Sequence, residues 1–116
     1  MTNSSYRDLI VWKKSLDLTE SIYKLTKNLP TSEQYGLSSQ IQRSAISIPS
    51  NIAEGSRRST KNDFCYFLRI ASGSTAELET QLILVQKIYK IDTNSLVEQL
   101  IEIQKMLAVL ITKLKS

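Results

Sequence analysis

The sequence has few of the residues that interrupt helices or hold metal ions. Its 116 residues include three Gly, two Pro, one Cys and no His. The scarcity of Gly and Pro favours a few long helices over many short strands. The single cysteine, Cys65, excludes an internal disulfide, and without histidine the chain cannot build a zinc site or a Cys–His catalytic pair. Only a metal site made of carboxylates stays open, and we predict no metal and no cofactor.

Length and charge restrict the class of protein further. A chain of 116 residues suits a single domain over residues 1–116, and 41% hydrophobic with 22% charged residues is ordinary for a globular protein. The first residues lack the basic-then-apolar pattern of a signal peptide, and no apolar run is long enough to span a bilayer, so we expect a cytoplasmic protein. The net charge of +4 permits an acidic partner without requiring one.

Hydrophobic spacing predicts a first helix over residues 6–28 and a second helix that begins near residue 33. Pro30 ends the first helix, and Thr31 or Ser32 is expected to cap the second. The core stripe of the second helix passes through Pro49 without losing phase, so we expect this helix to continue across the proline. The first helix carries two apolar stripes, one of Leu9, Trp12, Leu16 and Tyr23 and the other of Val11, Leu18, Ile22, Leu25 and Leu29.

Two further helices follow in the same pattern. Ser59 or Thr60 is expected to cap the third helix, which runs to about residue 90 with apolar residues at alternating spacings of four and three. Asn94 or Ser95 is expected to cap the fourth. Short connections between long amphipathic helices predict antiparallel neighbours, and hence an all-α, up-down-up-down four-helix bundle. A coiled-coil hairpin is the structural alternative.

The helices have more apolar surface than one four-helix bundle can bury. The first helix has its second stripe, and further apolar residues flank the core stripes of the second and third helices. Monomeric proteins rarely expose such large apolar patches, so we predict self-association, with a copy number that the stripes do not determine. The residues expected at the interface are Val11, Leu18, Ile22, Leu25, Ile46, Tyr66, Ile70, Leu84 and Ile88.

Three stretches of the sequence resemble one protein family. They are YRDLIVWKKSLDL near the start, SAISIPSNIAEGSRRS in the middle and DFCYFLRIASGSTAELETQL after it. Together they resemble the four-helix bundle proteins of the 23S ribosomal RNA intervening-sequence family over nearly the whole chain. Many members have Gly where this chain has Arg57, which puts a family-typical tight turn there in doubt. The matching positions are Pro49, Asn51, Glu54, Gly55, Arg58, Ala71, Gly73, Ser74 and Glu77.

The resemblance also implies an assembly and partners. Members resemble one another in forming a barrel-shaped homopentamer with a basic surface, so a homopentamer is expected here. The group includes the accessory protein of diversity-generating retroelements, which binds nucleic acid and a reverse transcriptase. RNA, DNA and a reverse transcriptase are therefore candidate partners, beside further copies of this chain.

A structural interpretation covers most of the matching positions. Glu54 and Arg58 are spaced for an i,i+4 ion pair, and Gly55 allows another helix to approach. Asn51 is expected to satisfy carbonyls that Pro49 leaves without a donor. Gly73 and Ser74, in the middle of the third helix, are expected at a close contact between helices, and Cys65 is expected to be a packing residue.

A functional interpretation can hold at the same time. Arg57, Arg58 and Lys61 surround the connection between the second and third helices, where guanidinium groups and the N-terminal N–H groups of a helix can bind phosphate. The further candidates for contact with nucleic acid are Lys13, Lys14 and Arg43.

No group of residues in the sequence supports catalysis, because there is no base–nucleophile pair, no phosphate-cradling glycine loop and no metal set. We therefore predict a non-enzymatic oligomer that binds structured RNA or an RNA–DNA hybrid electrostatically through a basic surface. No aromatic platform is evident, so sequence-specific readout is not expected. The alternative is a scaffold that recruits a partner enzyme such as a reverse transcriptase without binding nucleic acid. A structural protein whose only partner is itself is the third possibility.

Overall fold

A computed structural model describes residues 5–115 of the chain, and every element in that part is helical. The elements are a 3₁₀ helix over Tyr6–Asp8, α1 over Ile10–Thr26, a second 3₁₀ helix over Thr31–Glu33, α2 over Leu37–Ser56, α3 over Lys61–Tyr89 and α4 over Asn94–Lys115. The four predicted α-helices are confirmed. Within residues 5–115 no helix is long and apolar enough to cross a membrane.

The helices form a closed bundle in which each helix packs against two antiparallel neighbours. α1 contacts α2 and α4, and α3 contacts α2 and α4. Contacts between α1 and α2 join Thr19 to Ala45, and contacts between α3 and α4 join Cys65 to Ile111, as antiparallel packing requires. The up-down-up-down bundle is therefore confirmed over the coiled-coil hairpin, and the molecule measures 48 × 21 × 20 Å.

This topology gives the bundle two ends of different composition. We call one of them the junction end, because it holds the connection between α2 and α3, residues 57–60, together with the start of α1 and the end of α4. The opposite end holds the connection between α1 and α2 and the connection between α3 and α4.

The core contains one stripe of α1 that we had expected at an interface with a second copy. Val11, Leu18, Ile22 and Leu25 are at most 7% exposed and belong to the core of this chain. The prediction that these four residues contact another copy is wrong, because α1 lies between α2 and α4 and turns this aliphatic face inward. The outward face of α1 is the other stripe, where Leu16 and Tyr23 are exposed and Trp12 is half-buried.

The ends of the helices differ from the predictions in the connection between α1 and α2. α1 ends at Thr26, and Thr31 and Ser32 belong to a separate 3₁₀ helix instead of capping α2. α2 begins at Leu37, whose N–H donates to Glu33 Oε1 at 3.1 Å. The prediction that α2 starts in this connection is wrong. The residues after Pro30 form a separate turn of 3₁₀ helix, whose backbone N–H groups donate to carbonyls three residues earlier.

Of the two other predicted caps, the one on α3 is confirmed and the one on α4 is not. Thr60 caps α3 as predicted, because its Oγ1 accepts the Asp63 N–H at 3.1 Å. α4 begins at Asn94, so neither Asn94 nor Ser95 precedes the helix as a cap. The Asn94 N–H donates to Asp92 Oδ1 at 2.9 Å.

α2 continues through Pro49, as the unbroken core stripe predicted. Proline has no N–H for the carbonyl of Ala45, four residues earlier. Thr19 Oγ1 of α1 lies 3.2 Å from that carbonyl oxygen, and 2.7 Å from Ser15 O. Asn51 does not supply the missing donor, because its Nδ2 donates to Ser47 O at 2.8 Å. The donor that offsets the proline comes from the neighbouring helix, which sequence spacing within α2 could not indicate.

Candidate nucleic-acid interface

Gly55 brings α2 and α3 together at the junction end. A Cβ at this position would lie 2.7 Å from Phe67 Cβ and 3.2 Å from Phe64 O. Both distances are too short for real side chains to tolerate without movement of α3. The prediction that Gly55 allows another helix to approach is therefore confirmed, and the tight packing fixes where the residues after Gly55 lie.

Arg58 is held by two contacts at this junction. Its Nη2 donates to Glu54 Oε2 at 2.5 Å, which confirms the predicted i,i+4 ion pair. Its guanidinium carbon lies 4.8 Å from the centre of the Phe67 ring, within the range of a cation–π contact. Because the side chains of this ion pair are about half exposed, the pair contributes only ~0.3–0.5 kcal/mol to stability. Arg58 is thus positioned by Glu54 and Phe67, with part of its charge compensated.

Arg57 and Lys61 are both exposed at the two sides of the same connection. Arg57 caps the C-terminus of α2 with right-handed helical backbone angles, φ −90° and ψ −5°, so this position needs no glycine. Lys61 is the first residue of α3. The N-terminus of α3 offers less to an anion than expected, because the Thr60 side chain already accepts one N–H and Asp63 places a carboxylate in the first turn.

The remaining candidate cations divide between the two parts of the bundle. Lys14 pairs with Glu102 at 3.2 Å, and the adjacent Lys13 is exposed near the junction end. Arg43 lies 14 residues before Arg57 on α2, roughly 21 Å away along the helix axis. It lines a polar cleft of about 380 Å³ between α2 and α3, together with Glu77. The structure therefore brings Lys13 to the junction end but leaves Arg43 outside it.

Charge is separated along the length of the bundle. When each helix is divided at its middle residue, the junction half has ten Lys and Arg against four Asp and Glu, and the opposite half has five against seven. The two formal charges, +6 and −2, sum to the net +4 of the chain. The ten basic residues of the junction half are Arg7, Lys13, Lys14, Arg57, Arg58, Lys61, Arg69, Lys105, Lys113 and Lys115. Sequence reasoning missed this separation, although the up-down order of the helices was enough to show it.

Several of the matching positions form a hydrogen-bonded contact between α2 and α3. Ser74 is buried, and its Oγ lies 2.7 Å from Ser47 Oγ, which also accepts from Asn51 Nδ2 at 2.9 Å. Ser74 therefore lies at a close contact between helices, as predicted. Ala71 is fully buried in the core, and Cys65 is buried as the packing residue that we expected.

Gly73 does not lie at a contact within the bundle. A Cβ at this position would meet no atom within 4 Å, so the prediction of a close helix contact within this chain is wrong for Gly73. One residue along a helix turns the side chain by about 100°, which takes position 73 outward while Ser74 faces inward.

An outward stripe on α3 surrounds Gly73. Tyr66, Ile70, Leu84 and Ile88 are 36–60% exposed, and Ile46 on α2 is 43% exposed. Together with Gly73, Glu77 and Thr80, the α3 residues from Tyr66 to Leu84 follow the alternating four- and three-residue spacing of a helix–helix seam, and Ile88 lies one turn further on the same face. These five apolar residues remain available to a second copy, so their assignment to an interface stays a prediction.

Comparison with known proteins places this fold among related chains. The model of the family described as 23S rRNA-intervening sequence protein matches residues 7–109. A crystal structure at 1.70 Å resolution of a protein of unknown function from the S23 ribosomal protein family of Bacteroides thetaiotaomicron VPI-5482 is 32% identical to this chain. The two structures agree with a TM-score of 0.82 over 89% of this chain and 96% of that chain. No curated protein matches the sequence.

Proposed function

We propose that this chain, which belongs to the 23S rRNA-intervening sequence protein family, binds nucleic acid through the junction end of its bundle. The observation that carries the proposal is the separation of charge, +6 in the junction half against −2 in the opposite half. Phosphate backbones bind clustered Lys and Arg and release counterions, and one-sided clustering makes this binding directional. Arg57, Lys61 and Lys13 are among the exposed cations of the junction half.

The expected ligands are structured RNA, an RNA–DNA hybrid or duplex DNA, bound mainly through phosphates. Contacts between lysine or arginine side chains and phosphates position a protein on nucleic acid without reading its sequence.

We further propose that the chain assembles with copies of itself, as a homopentamer by resemblance to its family. The outward α3 stripe around Gly73 supports assembly, because exposed apolar side chains at helical spacing form a surface that a second helix can cover. In such an assembly the basic patch of each copy repeats by symmetry, which multiplies the phosphate contacts made by one oligomer.

The test of nucleic-acid binding is a titration of structured RNA and duplex DNA at low salt. We expect Arg57→Ala/Lys61→Ala to weaken binding of both ligands, since both cations are exposed and neither belongs to the ion pairs that Lys14 and Arg58 form. The control variant, Lys24→Ala/Lys87→Ala, removes the same charge from exposed helical positions at the opposite end and should bind like the natural chain. Absence of binding to either ligand at low salt would overturn the proposal and leave a protein scaffold as the alternative.

A further inference from the structure

A groove between α1 and α2 holds the one tryptophan of the chain at the junction end. Its volume is about 330 Å³, and its walls include Tyr6, Trp12, Leu16, Ile46, Pro49 and Ser50. Trp12 and Tyr6 are half-buried, whereas Leu16, Ile46 and Ser50 are exposed. The groove thus offers aromatic and apolar surface that the fold of the single chain does not cover.

The two aromatic rings of the groove pack edge to face. Their centroids lie 5.1 Å apart with an angle of 65° between the ring planes. In such a pair, one ring keeps both of its faces free of the other ring. Because neither ring is fully buried, a flat aromatic ligand can stack on the part of the pair that faces the groove.

Two exposed cations lie near this groove in the junction half, although neither forms part of its walls. Lys13 follows Trp12 directly on α1. On the α2 wall, Ile46, Ser50 and Ala53 are followed at the same helical spacing by Arg57, which is exposed. The aromatic surface and the positive charge therefore lie side by side, which suits a ligand with a flat apolar part and an anionic part.

We propose that this groove binds an unpaired nucleotide, with its base stacked on the Tyr6–Trp12 pair and its phosphate on Arg57 and Lys13. Flat bases on aromatic side chains and phosphates on neighbouring cations are the two contacts by which proteins hold single strands. Bases inside a double helix are already stacked and paired and cannot enter the groove. The inference rests on the proposed function and narrows it, because it selects single strands and loops over fully paired duplex. It departs from the expectation, drawn from the sequence, that no aromatic platform is evident.

The fluorescence of Trp12 tests this inference directly, because no other tryptophan contributes to the signal. The probes are a short oligouridine, the matching oligodeoxythymidine, a strand of equal length with abasic sites and a fully paired duplex. We expect both unpaired strands to quench Trp12 emission with the half-saturation that fluorescence anisotropy gives for binding. The abasic strand and the duplex should bind through phosphates and leave the emission unchanged.

Two variants give a readout that does not depend on tryptophan. Tyr6→Ala removes one ring from the groove and should weaken binding of the unpaired strands roughly five-fold to a hundred-fold, with duplex affinity unchanged. Tyr35→Ala is the matched control, since Tyr35 is 90% exposed at the opposite end of the bundle. Circular dichroism checks that both variants are folded.

The outcomes separate this inference from the proposed function. Binding of every probe with equal affinity and no change in Trp12 emission would overturn the groove as a base site and leave phosphate binding intact. Emission that is insensitive to all probes and already shielded from acrylamide in the free protein would show that a second copy covers the groove, which also overturns the inference. If no probe bound at low salt, the proposed function and the inference would fail together.

Discussion

Gly55 and Gly73 both lie inside helices, but their surroundings are opposite. A methyl group at Gly55 would overlap Phe67 and the backbone of Phe64, whereas a methyl group at Gly73 would enter open space. We predict that Gly55→Ala lowers the free energy of unfolding by about 1–3 kcal/mol, because α3 must move away. Gly73→Ala is the control and should raise the stability of the isolated chain by about 0.5–1 kcal/mol, since alanine favours the helix. Urea unfolding followed by circular dichroism measures both, and equal effects of the two substitutions would contradict the packing described here.

The hydroxyl of Thr19 is the nearby donor for the Ala45 carbonyl that Pro49 leaves without its helix partner. The same hydroxyl also lies close to Ser15 O, but that carbonyl already accepts the backbone N–H of Thr19 within α1. The Ala45 carbonyl has no such backbone donor and therefore depends more on the hydroxyl. We predict that Thr19→Val lowers stability by about 1 kcal/mol in the natural chain. In a Pro49→Ala background the loss should shrink, because the new N–H bonds to Ala45. A double-mutant cycle in urea measures the coupling, and an equal loss in both backgrounds would contradict this role of Thr19.

Sequence spacing correctly placed contacts whose partners lie three or four residues apart along the chain. The Glu54–Arg58 pair and the Thr60 cap depend on local spacing alone. The Thr19 donor and the open surroundings of Gly73 depend on which face of a helix meets its neighbour, and local spacing does not contain that information.

At the scale of elements, Glu33 joins the connection between α1 and α2 to the end of α3. Tyr89 Oη donates to Glu33 Oε2, and the Leu37 N–H donates to Oε1 at 3.1 Å. The hydrogen bond from Tyr89, and next the one from Leu37, lower the pKa of Glu33 below its ordinary 4.5, although burial acts in the opposite direction. The hydrogen bond to Glu33, followed by burial and the charge of Glu33, raises the pKa of Tyr89 above 10.0.

These shifts give the stability of the fold a defined pH dependence. Because its pKa is lowered, ionised Glu33 adds to the free energy of unfolding above about pH 4.5. This stabilisation is lost as the pH falls through the pKa that Glu33 has in the folded protein. Because its pKa is raised, protonated Tyr89 adds to the free energy of unfolding below about pH 10. This stabilisation is lost as the pH rises through the pKa that Tyr89 has in the folded protein. Between these limits the joint between the two elements is fully formed.

We predict that Glu33→Gln removes the acid part of this dependence, because the amide has nearly the same shape but carries no titrating charge. Its one oxygen can accept the Leu37 N–H, while its NH₂ group can only donate, to the Tyr89 hydroxyl oxygen. The difference in unfolding free energy between the natural chain and the variant should be constant from about pH 6 to pH 8 and shrink below about pH 4. Urea titrations across this range measure it. Glu98→Gln, at an exposed position on α4, is the control. If the unfolding free energy fell in the same way at low pH in both variants, the role assigned to Glu33 would be contradicted.

The periodicity of the sequence predicts the number and order of the helices, because each helix carries a continuous core stripe. It also predicts that α2 passes through Pro49. The inward face of α1 does not follow from periodicity. Its two stripes are similarly apolar, and only packing between α2 and α4 selects the one that includes Leu18 and Ile22. The short 3₁₀ helix after Pro30 was also missed, since its hydrogen bonds span only three residues and leave no apolar period.

At the scale of the whole molecule, the outward α3 stripe predicts an assembly of several copies. We expect light scattering to give a multiple of the 13.2 kDa mass of the chain. Leu84→Glu, in this stripe, should reduce the mass toward that of one chain, because a buried carboxylate opposes association. Val109→Glu is the control, since Val109 is 55% exposed on α4 and lies outside the predicted interface. A natural chain that remains a monomer at micromolar concentration would contradict the assembly.

The separation of charge is also a property of the whole molecule, and it depends on two facts together. The sequence contains the charges, and the antiparallel order of the helices brings ten basic residues from the beginning, middle and end of the chain into one half. Composition alone gives only the net charge of +4, which many proteins share without binding nucleic acid.

The most direct test of the proposed function is the salt dependence of duplex DNA binding in variants that lose equal charge at the two ends. In the natural chain, the logarithm of the binding constant should fall linearly with the logarithm of salt concentration. Arg57→Ala/Lys61→Ala should flatten that slope by about 0.9 for each phosphate that the variant no longer neutralises, whereas Lys24→Ala/Lys87→Ala should leave it unchanged. A change of slope of the same size in both variants would show that only net charge matters, and would contradict binding at the junction end.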